Sequence, residues 1–108
     1  MRVAQITDLT GPQGVSVADR DALVAAAGQL LIDVHAAGIN FPDLLMTRGE
    51  YQVKPELPFV PGSEIAGVVV SAPADSGVAK GDRVAAFTLL GGIAEQALTS
   101  PEYAIKLP

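Results

Sequence analysis

The hydrophobic residues of this chain come in short runs, and glycine, proline or aspartate interrupts them at intervals of about ten residues. Such spacing is typical of an all-β sandwich or barrel. In the clearest run, residues 30–36, apolar residues alternate with the polar Asp33 and His35. Successive side chains of a strand point to opposite faces, so this run predicts a half-buried strand. Its predicted inner face consists of Leu30, Ile32, Val34 and Ala36.

Three further segments predict strands, and one segment predicts a short helix. The strand segments are 65–72, 82–87 and 94–99, and Lys80-Gly81-Asp82 predicts a tight turn into the second of them. Asn40 can cap a helix that begins at Phe41. Pro42 fits its first turn, because the backbone N–H groups of that turn have no intrahelical acceptor and proline has no N–H to lose. Gly49 would end it. The shared apolar face would consist of Phe41, Leu44 and Leu45, with Arg48 at the same spacing.

Length, charge and cysteine content narrow the class of protein. The 108 residues are enough for one domain with one core. The absence of cysteine excludes disulfides, thiolate catalysis and cysteine metal sites, and the net charge of -5 without a basic cluster argues against a nucleic-acid partner. No apolar run approaches the roughly 20 residues of a membrane span, and the N-terminus lacks the pattern of a signal peptide. We therefore expect a cytoplasmic protein that has no membrane partner.

Five short motifs follow one another along the chain. They are Ala36-Ala37-Gly38-Ile39-Asn40-Phe41-Pro42-Asp43, Arg48-Gly49-Glu50-Tyr51, Pro61-Gly62-Ser63-Glu64 with Ala66-Gly67-Val68-Val69, Gly81-Asp82-Arg83-Val84, and Gly91-Gly92 with Ala94-Glu95. In this series the chain, from Arg2 to Pro108, resembles the N-terminal domain of the medium-chain dehydrogenase/reductase superfamily. The resemblance implies a mainly β, GroES-like fold, a distorted β-barrel with short helices. It also implies that segment 19–28, despite its helical propensity, is a variable approach to the next strand.

The resemblance points to the zinc-free branch of that superfamily. Zinc-dependent members carry a cysteine where this chain has Asn40 and a histidine where it has Ser63. Asparagine and serine are poor zinc ligands. This pattern is similar to the NADPH:quinone oxidoreductases. It implies that residues 1–108 are the substrate-side domain of a larger reductase whose Rossmann domain is absent from this chain, and that this domain alone is inactive.

The implied activity is hydride transfer from a nicotinamide, expected to be NADPH and bound mainly by the missing domain, to a quinone or an activated C=C bond. The substrate would be a small molecule, and we expect the full-length protein to be a homo-oligomer. The motifs of this chain also resemble those of the enoyl reductases of fatty-acid or polyketide synthesis, which are an alternative. A GroES-like binding or assembly module without chemistry is the alternative from another class, since fold does not fix function.

The resemblance assigns candidate catalytic roles to Tyr51 and Asn40. Tyr51 is either a packing aromatic or a proton donor, and Asn40 is a helix cap that can also place its amide in the cleft. The same resemblance places Phe41, Arg48 and Ser63 in the substrate and cofactor cleft.

Other polar residues receive structural interpretations. Ser63 is not expected to be a nucleophile, because no motif supplies a base. His35 is expected to be solvated, and Asp43 and Glu64 are expected to make structural hydrogen bonds. Segment 90–92 lacks the G-x-G-x-x-G spacing of a phosphate-binding loop, so it is interpreted as a hairpin.

Overall fold

A computed structural model describes residues 1–108, which form seven strands, one α-helix and two 3-10 helices. The strands are β1 (Arg2–Ile6), β2 (Val15–Asp19), β3 (Leu30–Gly38), β4 (Glu64–Ser71), β5 (Arg83–Phe87), β6 (Gln96–Thr99) and β7 (Ala104–Lys106); the α-helix is α1 (Phe41–Thr47), and the 3-10 helices are Pro12–Gly14 and Pro101–Tyr103. The predicted mainly β fold is confirmed. The strand segments predicted from the alternation correspond to β3 to β6.

The strands form two antiparallel sheets. β1 pairs with β2, and the larger sheet has the order β6-β3-β4-β5-β7. β1 is also joined to the rest of the chain, because the Ala4 N–H donates to the Ile93 carbonyl at 2.9 Å and the Ile6 N–H donates to the Phe59 carbonyl at 2.8 Å. These bonds join β1 to the loops around Phe59 and Ile93. No helix of this protein has the length and apolar character needed to cross a membrane.

Strand β3 departs from the predicted alternation at its C-terminal half. Asp33 and His35 are exposed, as predicted, but Ala36 is exposed and Ala37 is half-buried against the core. The register with β4 shifts between Val34 and Ala36. A bulge inserts one extra residue, so the side chains beyond it change faces. The prediction of Ala36 on the inner face is therefore wrong.

Helix α1 begins and ends close to the predicted residues, with Asn40 at its N-cap. Its packed face differs from the predicted one. Phe41 is 69% exposed, and Leu44 and Leu45 are only half-buried. The buried face consists of Asp43, Met46 and Thr47. The residues of segment 20–26 lie in neither a helix nor a strand, which agrees with the expected variable approach.

The hairpin predicted at residues 90–92 does not form, and these residues are part of the longer segment 88–95. It connects β5 to β6, and these strands are not neighbours in the sheet. Its backbone instead bonds to another loop: the Gly91 N–H donates to the Val60 carbonyl at 2.8 Å, and the Ile93 N–H donates to the Pro61 carbonyl at 3.0 Å. The segment therefore crosses one end of the large sheet. By contrast, the predicted tight turn at Lys80-Gly81-Asp82 is confirmed.

Two apolar clusters form the core. The larger one is formed by side chains from the strands of the five-stranded sheet: Leu30, Ile32, Ile65, Val69, Val84, Ala86 and Ala97. The smaller one consists of Ile6, Met46 and Phe59, with Tyr51 and Leu90 packed against it. The smaller cluster fixes α1 and the loop around Phe59 against β1.

Candidate functional site

Three loop segments meet beside the smaller cluster, and we call them together the loop junction: residues 39–43, 59–63 and 88–93. Asp43 joins the first two. Its Oδ2 accepts the Asn40 N–H at 2.9 Å, and its Oδ1 accepts the Gly62 N–H at 3.3 Å. Asp43 is only 5% exposed. The expected structural hydrogen bonding of Asp43 is therefore confirmed, and it links the segments that carry Asn40 and Ser63.

Gly62 is held on its other side by the third segment. Its carbonyl accepts the Thr88 hydroxyl at 2.8 Å and the Gly92 N–H at 3.0 Å. Its φ of 108° is a conformation that favours glycine. A Cβ at this position would lie 2.6 Å from the Ile93 nitrogen. Only glycine therefore allows the two segments to approach this closely.

The structure brings Asn40 and Ser63 to the loop junction. Asn40 precedes α1, while Ser63 is half-buried and its carbonyl accepts the Thr88 N–H at 2.8 Å. Phe41 lies next to Asn40, and Ile39 lies on its other side. Ile39 is 78% exposed and Phe41 is 69% exposed. The N-cap of α1 thus has an open apolar residue on each side.

Tyr51 lies on the smaller apolar cluster. Its side chain is half-buried against Ile6, Met46 and Phe59. None of the hydrogen bonds of the structure involves its hydroxyl group. The ring therefore has a packing role, and the phenol is free of partners within the chain.

No side-chain hydrogen bond or ion pair joins Arg48, Glu64 or His35 to the loop junction. Arg48 is exposed at the C-terminal end of α1, about 12 Å along the helix axis from Asn40. Glu64 is exposed at the start of β4 and its carboxylate lies over Gly38 without a hydrogen bond, so the hydrogen bonding expected of it is wrong. His35 is exposed, as predicted. Nowhere do three His, Asp or Glu side chains come together as a metal site.

The glycine-rich segment at 91–92 does not fit a dinucleotide phosphate. A phosphate cradle needs free backbone N–H groups that point at the ligand. Here the Gly91 N–H donates to the Val60 carbonyl at 2.8 Å, and the Gly92 N–H donates to the Gly62 carbonyl at 3.0 Å. Both donors are already used inside the loop junction.

A second surface lies across the large sheet and contains none of the candidate site residues. It is a shallow groove of about 570 Å³. Phe87 and Tyr103 flank it as an edge-to-face pair, with ring centroids 6.0 Å apart. Its lining includes Ala36, Ala66, Ala85, Phe87, Tyr103 and Ile105.

Gly62 and Thr88 were not predicted as parts of the site. For Asp43, a signal was present: an Asn followed three residues later by an acidic residue indicates a capping box. Thr88 has no such signal, because its hydroxyl meets a carbonyl 26 residues away in the chain. Only the fold brings these groups together.

Comparisons with known proteins place the chain in a family. Residues 26–108 match the family model of the alcohol dehydrogenase GroES-like domain. The chain is 48% identical over 81 residues to quinone oxidoreductase-like protein 2 of Rattus norvegicus, covering 74% of this chain and 23% of that protein. It is 38% identical over 112 residues to the quinone oxidoreductase of Homo sapiens, covering 100% of this chain and 34% of that protein.

Solved structures agree with the sequence relatives. A probable oxidoreductase from Mycobacterium abscessus superposes with a TM-score of 0.96 at 48% identity, over 100% of this chain and 34% of that one. The quinone oxidoreductase from Thermus thermophilus, solved also in complex with NADPH, gives a TM-score of 0.83 at 32% identity, over 100% of this chain and 32% of that one. The chain spans at most 34% of the length of these four relatives. The chain therefore belongs to the family of alcohol dehydrogenase GroES-like domains, as its motif series predicted, among relatives that are named quinone oxidoreductases.

Proposed function

We propose that this chain is the substrate-side domain of an NADPH-dependent oxidoreductase that reduces a quinone or an activated C=C bond without zinc. The observation that carries this is the superposition of the whole chain on the quinone oxidoreductase of Thermus thermophilus, with a TM-score of 0.83, a protein also solved with NADPH. The nicotinamide supplies the hydride in such reactions. The residues of this chain supply one wall of the site.

The opening around Asn40 suits a flat apolar substrate. Ile39 and Phe41, 78% and 69% exposed, present apolar surface on both sides of the N-cap. An aromatic ring such as Phe41 packs well on another flat ring, and an asparagine amide can donate to a carbonyl oxygen. A quinone or an enone carries both features.

The residues of the loop junction do not fit a catalytic zinc. Such a site takes three protein ligands of the Cys, His or carboxylate kind. Asn40 and Ser63 provide an amide and a hydroxyl, and both Asp43 oxygens already accept backbone N–H groups. No step of the proposed reaction therefore passes through zinc.

A separate nucleotide-binding domain is part of the proposal. The Gly91 and Gly92 N–H groups are occupied, so this chain has no glycine-rich loop that is free to hold the pyrophosphate. We assign that role to a Rossmann domain outside residues 1–108. The cytoplasmic location and the homo-oligomeric state inferred from the sequence stay predictions, as does the role of Arg48 in the cleft.

Tyr51 favours enoyl chemistry as a second candidate, because its hydroxyl has no partner in the chain. Hydride addition to an enone or enoyl thioester leaves an enolate that must gain a proton. A phenol in the cleft can give that proton or stabilise the charge by a hydrogen bond. Quinone oxygens can take their protons from water instead.

The variant Tyr51→Phe separates the two chemistries in the full-length protein. If Tyr51 is the proton donor, kcat with an enoyl substrate falls about 10²-fold or more, while kcat with a quinone changes only a few-fold. An unchanged enoyl rate would leave Tyr51 as a packing residue. Equal large losses on both substrates would assign it to positioning the cofactor or the bound ring.

One observation, the apolar groove across the large sheet, favours a binding or assembly module that catalyses no reaction. An apolar surface of this kind suits contact with another protein segment. The two functions differ in one measurable property. A module would not oxidise NADPH with any quinone or enone, whereas the proposed reductase would.

A further inference from the structure

Asp43 is a buried carboxylate that has no cationic partner. It is 5% exposed, and the ion pairs of the structure, Arg2 with Glu95 and Lys106 with Asp82, lie elsewhere. A buried charge is stable only when it is paired or hydrogen-bonded. Two backbone N–H groups provide this, one on each oxygen.

The two donors belong to separate segments of the loop junction. The Asn40 N–H lies at the start of α1, and the Gly62 N–H lies in the loop that continues into Ser63. The bond from the Gly62 N–H to Asp43 Oδ1, at 3.3 Å, is the hydrogen bond that connects residues 39–43 with residues 59–63. The pairing of Gly38 in β3 with Glu64 in β4 also brings these segments together, so the Asp43 bond acts beyond the end of the sheet, on the start of α1.

The far side of this connection is rigid. The Gly62 carbonyl accepts both the Thr88 hydroxyl and the Gly92 N–H. A Cβ at Gly62 would lie 2.6 Å from the Ile93 nitrogen, so the loop has no space to move toward segment 88–93. If the Asp43 bond is lost, the start of α1 is the part that becomes free to shift.

We propose that Asp43 is a positioning residue, whose carboxylate fixes the start of α1, with Asn40, against the loop that carries Ser63. It touches neither substrate nor cofactor. The catalytic meaning of this role rests on the proposed function, but the role itself is a property of the fold. The two can be tested separately.

The test is Asp43→Asn in the full-length protein. The amide keeps one acceptor oxygen, but its NH2 group faces a backbone N–H and cannot accept that bond. We expect amide hydrogen exchange to speed up at least about tenfold in segment 39–47 or 59–63, without a matching change in β3 to β5. We also expect kcat with a quinone to fall about 10²-fold with a smaller change in KM, since small displacements of a site group cost rate.

Asp82→Asn is the matched control. Asp82 also accepts a backbone N–H three residues earlier, from Ala79 at 2.9 Å, in a turn outside the loop junction. If Asp43 acts only through stability, the two variants lose kcat in proportion to their lost stability. A fall of kcat in Asp43→Asn alone, at equal stability, supports positioning.

Hydrogen exchange tests the positioning role of Asp43 independently of the proposed function. If the wild-type protein reduces no quinone or enone, the proposed function fails, while faster exchange confined to segments 39–47 and 59–63 still supports the Asp43 role. Unchanged exchange together with an unchanged kcat would overturn it. If Asp43→Asn does not fold, the wild-type protein decides: the Asn40 and Gly62 N–H groups should exchange at least about 10²-fold more slowly than unprotected amides, and unprotected exchange at Gly62 would overturn the role.

Discussion

The large sheet and the loop junction are held together by different forces. The larger cluster of the sheet consists of seven buried apolar side chains, which pack without directional contacts. The loop junction is instead held by hydrogen bonds, among them those of Asp43, Gly62 and Thr88. Apolar packing tolerates changes that conserve volume, whereas a lost bond to a buried carboxylate leaves a group unsatisfied. The sheet supplies stability, and the loop junction supplies geometry for the site.

The largest expected effect on stability lies in the sheet. Ile32 has no exposed surface, so Ile32→Ala removes apolar burial and leaves a cavity. We expect the free energy of unfolding to fall by about 2–5 kcal/mol, measured by chemical denaturation. Val24→Ala is the control, because Val24 is 85% exposed and should change stability by less than about 0.5 kcal/mol. Equal effects of the two substitutions would contradict the assigned core.

The second effect tests the close approach in the loop junction. Gly62→Ala places a Cβ 2.6 Å from the Ile93 nitrogen at a φ of +108°, and we expect a loss of about 2–4 kcal/mol. Gly77→Ala is the matched control, since Gly77 has a φ of +85° but no atom within 4 Å of its would-be Cβ. That substitution should cost only the conformational strain, about 1–2 kcal/mol. If Gly62→Ala costs no more than Gly77→Ala, the contact between the two segments is looser than described.

The smallest effect concerns Tyr51. Its ring packs on the smaller cluster, while its hydroxyl has no partner in the chain. We therefore expect Tyr51→Phe to change the free energy of unfolding by less than about 0.5 kcal/mol. Thermal unfolding of the wild-type and variant proteins checks this. A loss above about 1 kcal/mol would reveal a hydrogen bond of the hydroxyl and would complicate the kinetic use of the same variant.

The alternation of apolar and polar residues was sufficient to predict the central strands. Apolar and polar residues alternate over residues 32–36, and β3 includes them, with Asp33 exposed as predicted. The bulge before Ala36 could not be predicted, because it arises from pairing with β4, 30 residues away along the chain (Ala36 with Ala66). The pairing of β1 with β2 and the edge strand β7 were also not predicted, since these segments carry little alternation. Local patterns give strands, but register and order come from distant partners.

The candidate site was predictable only at the level of motifs. The motif series identified Asn40, Ser63 and Tyr51, and the cap at Asn40 follows from its residue type and Pro42. The interpretation of segment 90–92 as a hairpin was wrong, because its donors bond to the loop at 60–62. Contacts between such remote loops leave no periodic signal in a sequence.

The most direct test of the central claim is turnover by the full-length protein with NADPH and a quinone, with the zinc content of the same sample measured. We predict NADPH oxidation that depends on the quinone, in a sample that contains far less than about one zinc per chain, because Asn40 and Ser63 replace the usual ligands. The contradictory results are equally clear. Activity that requires about one zinc per chain would overturn the zinc-free mechanism, and no NADPH oxidation with any quinone or enone would favour a binding module over a reductase.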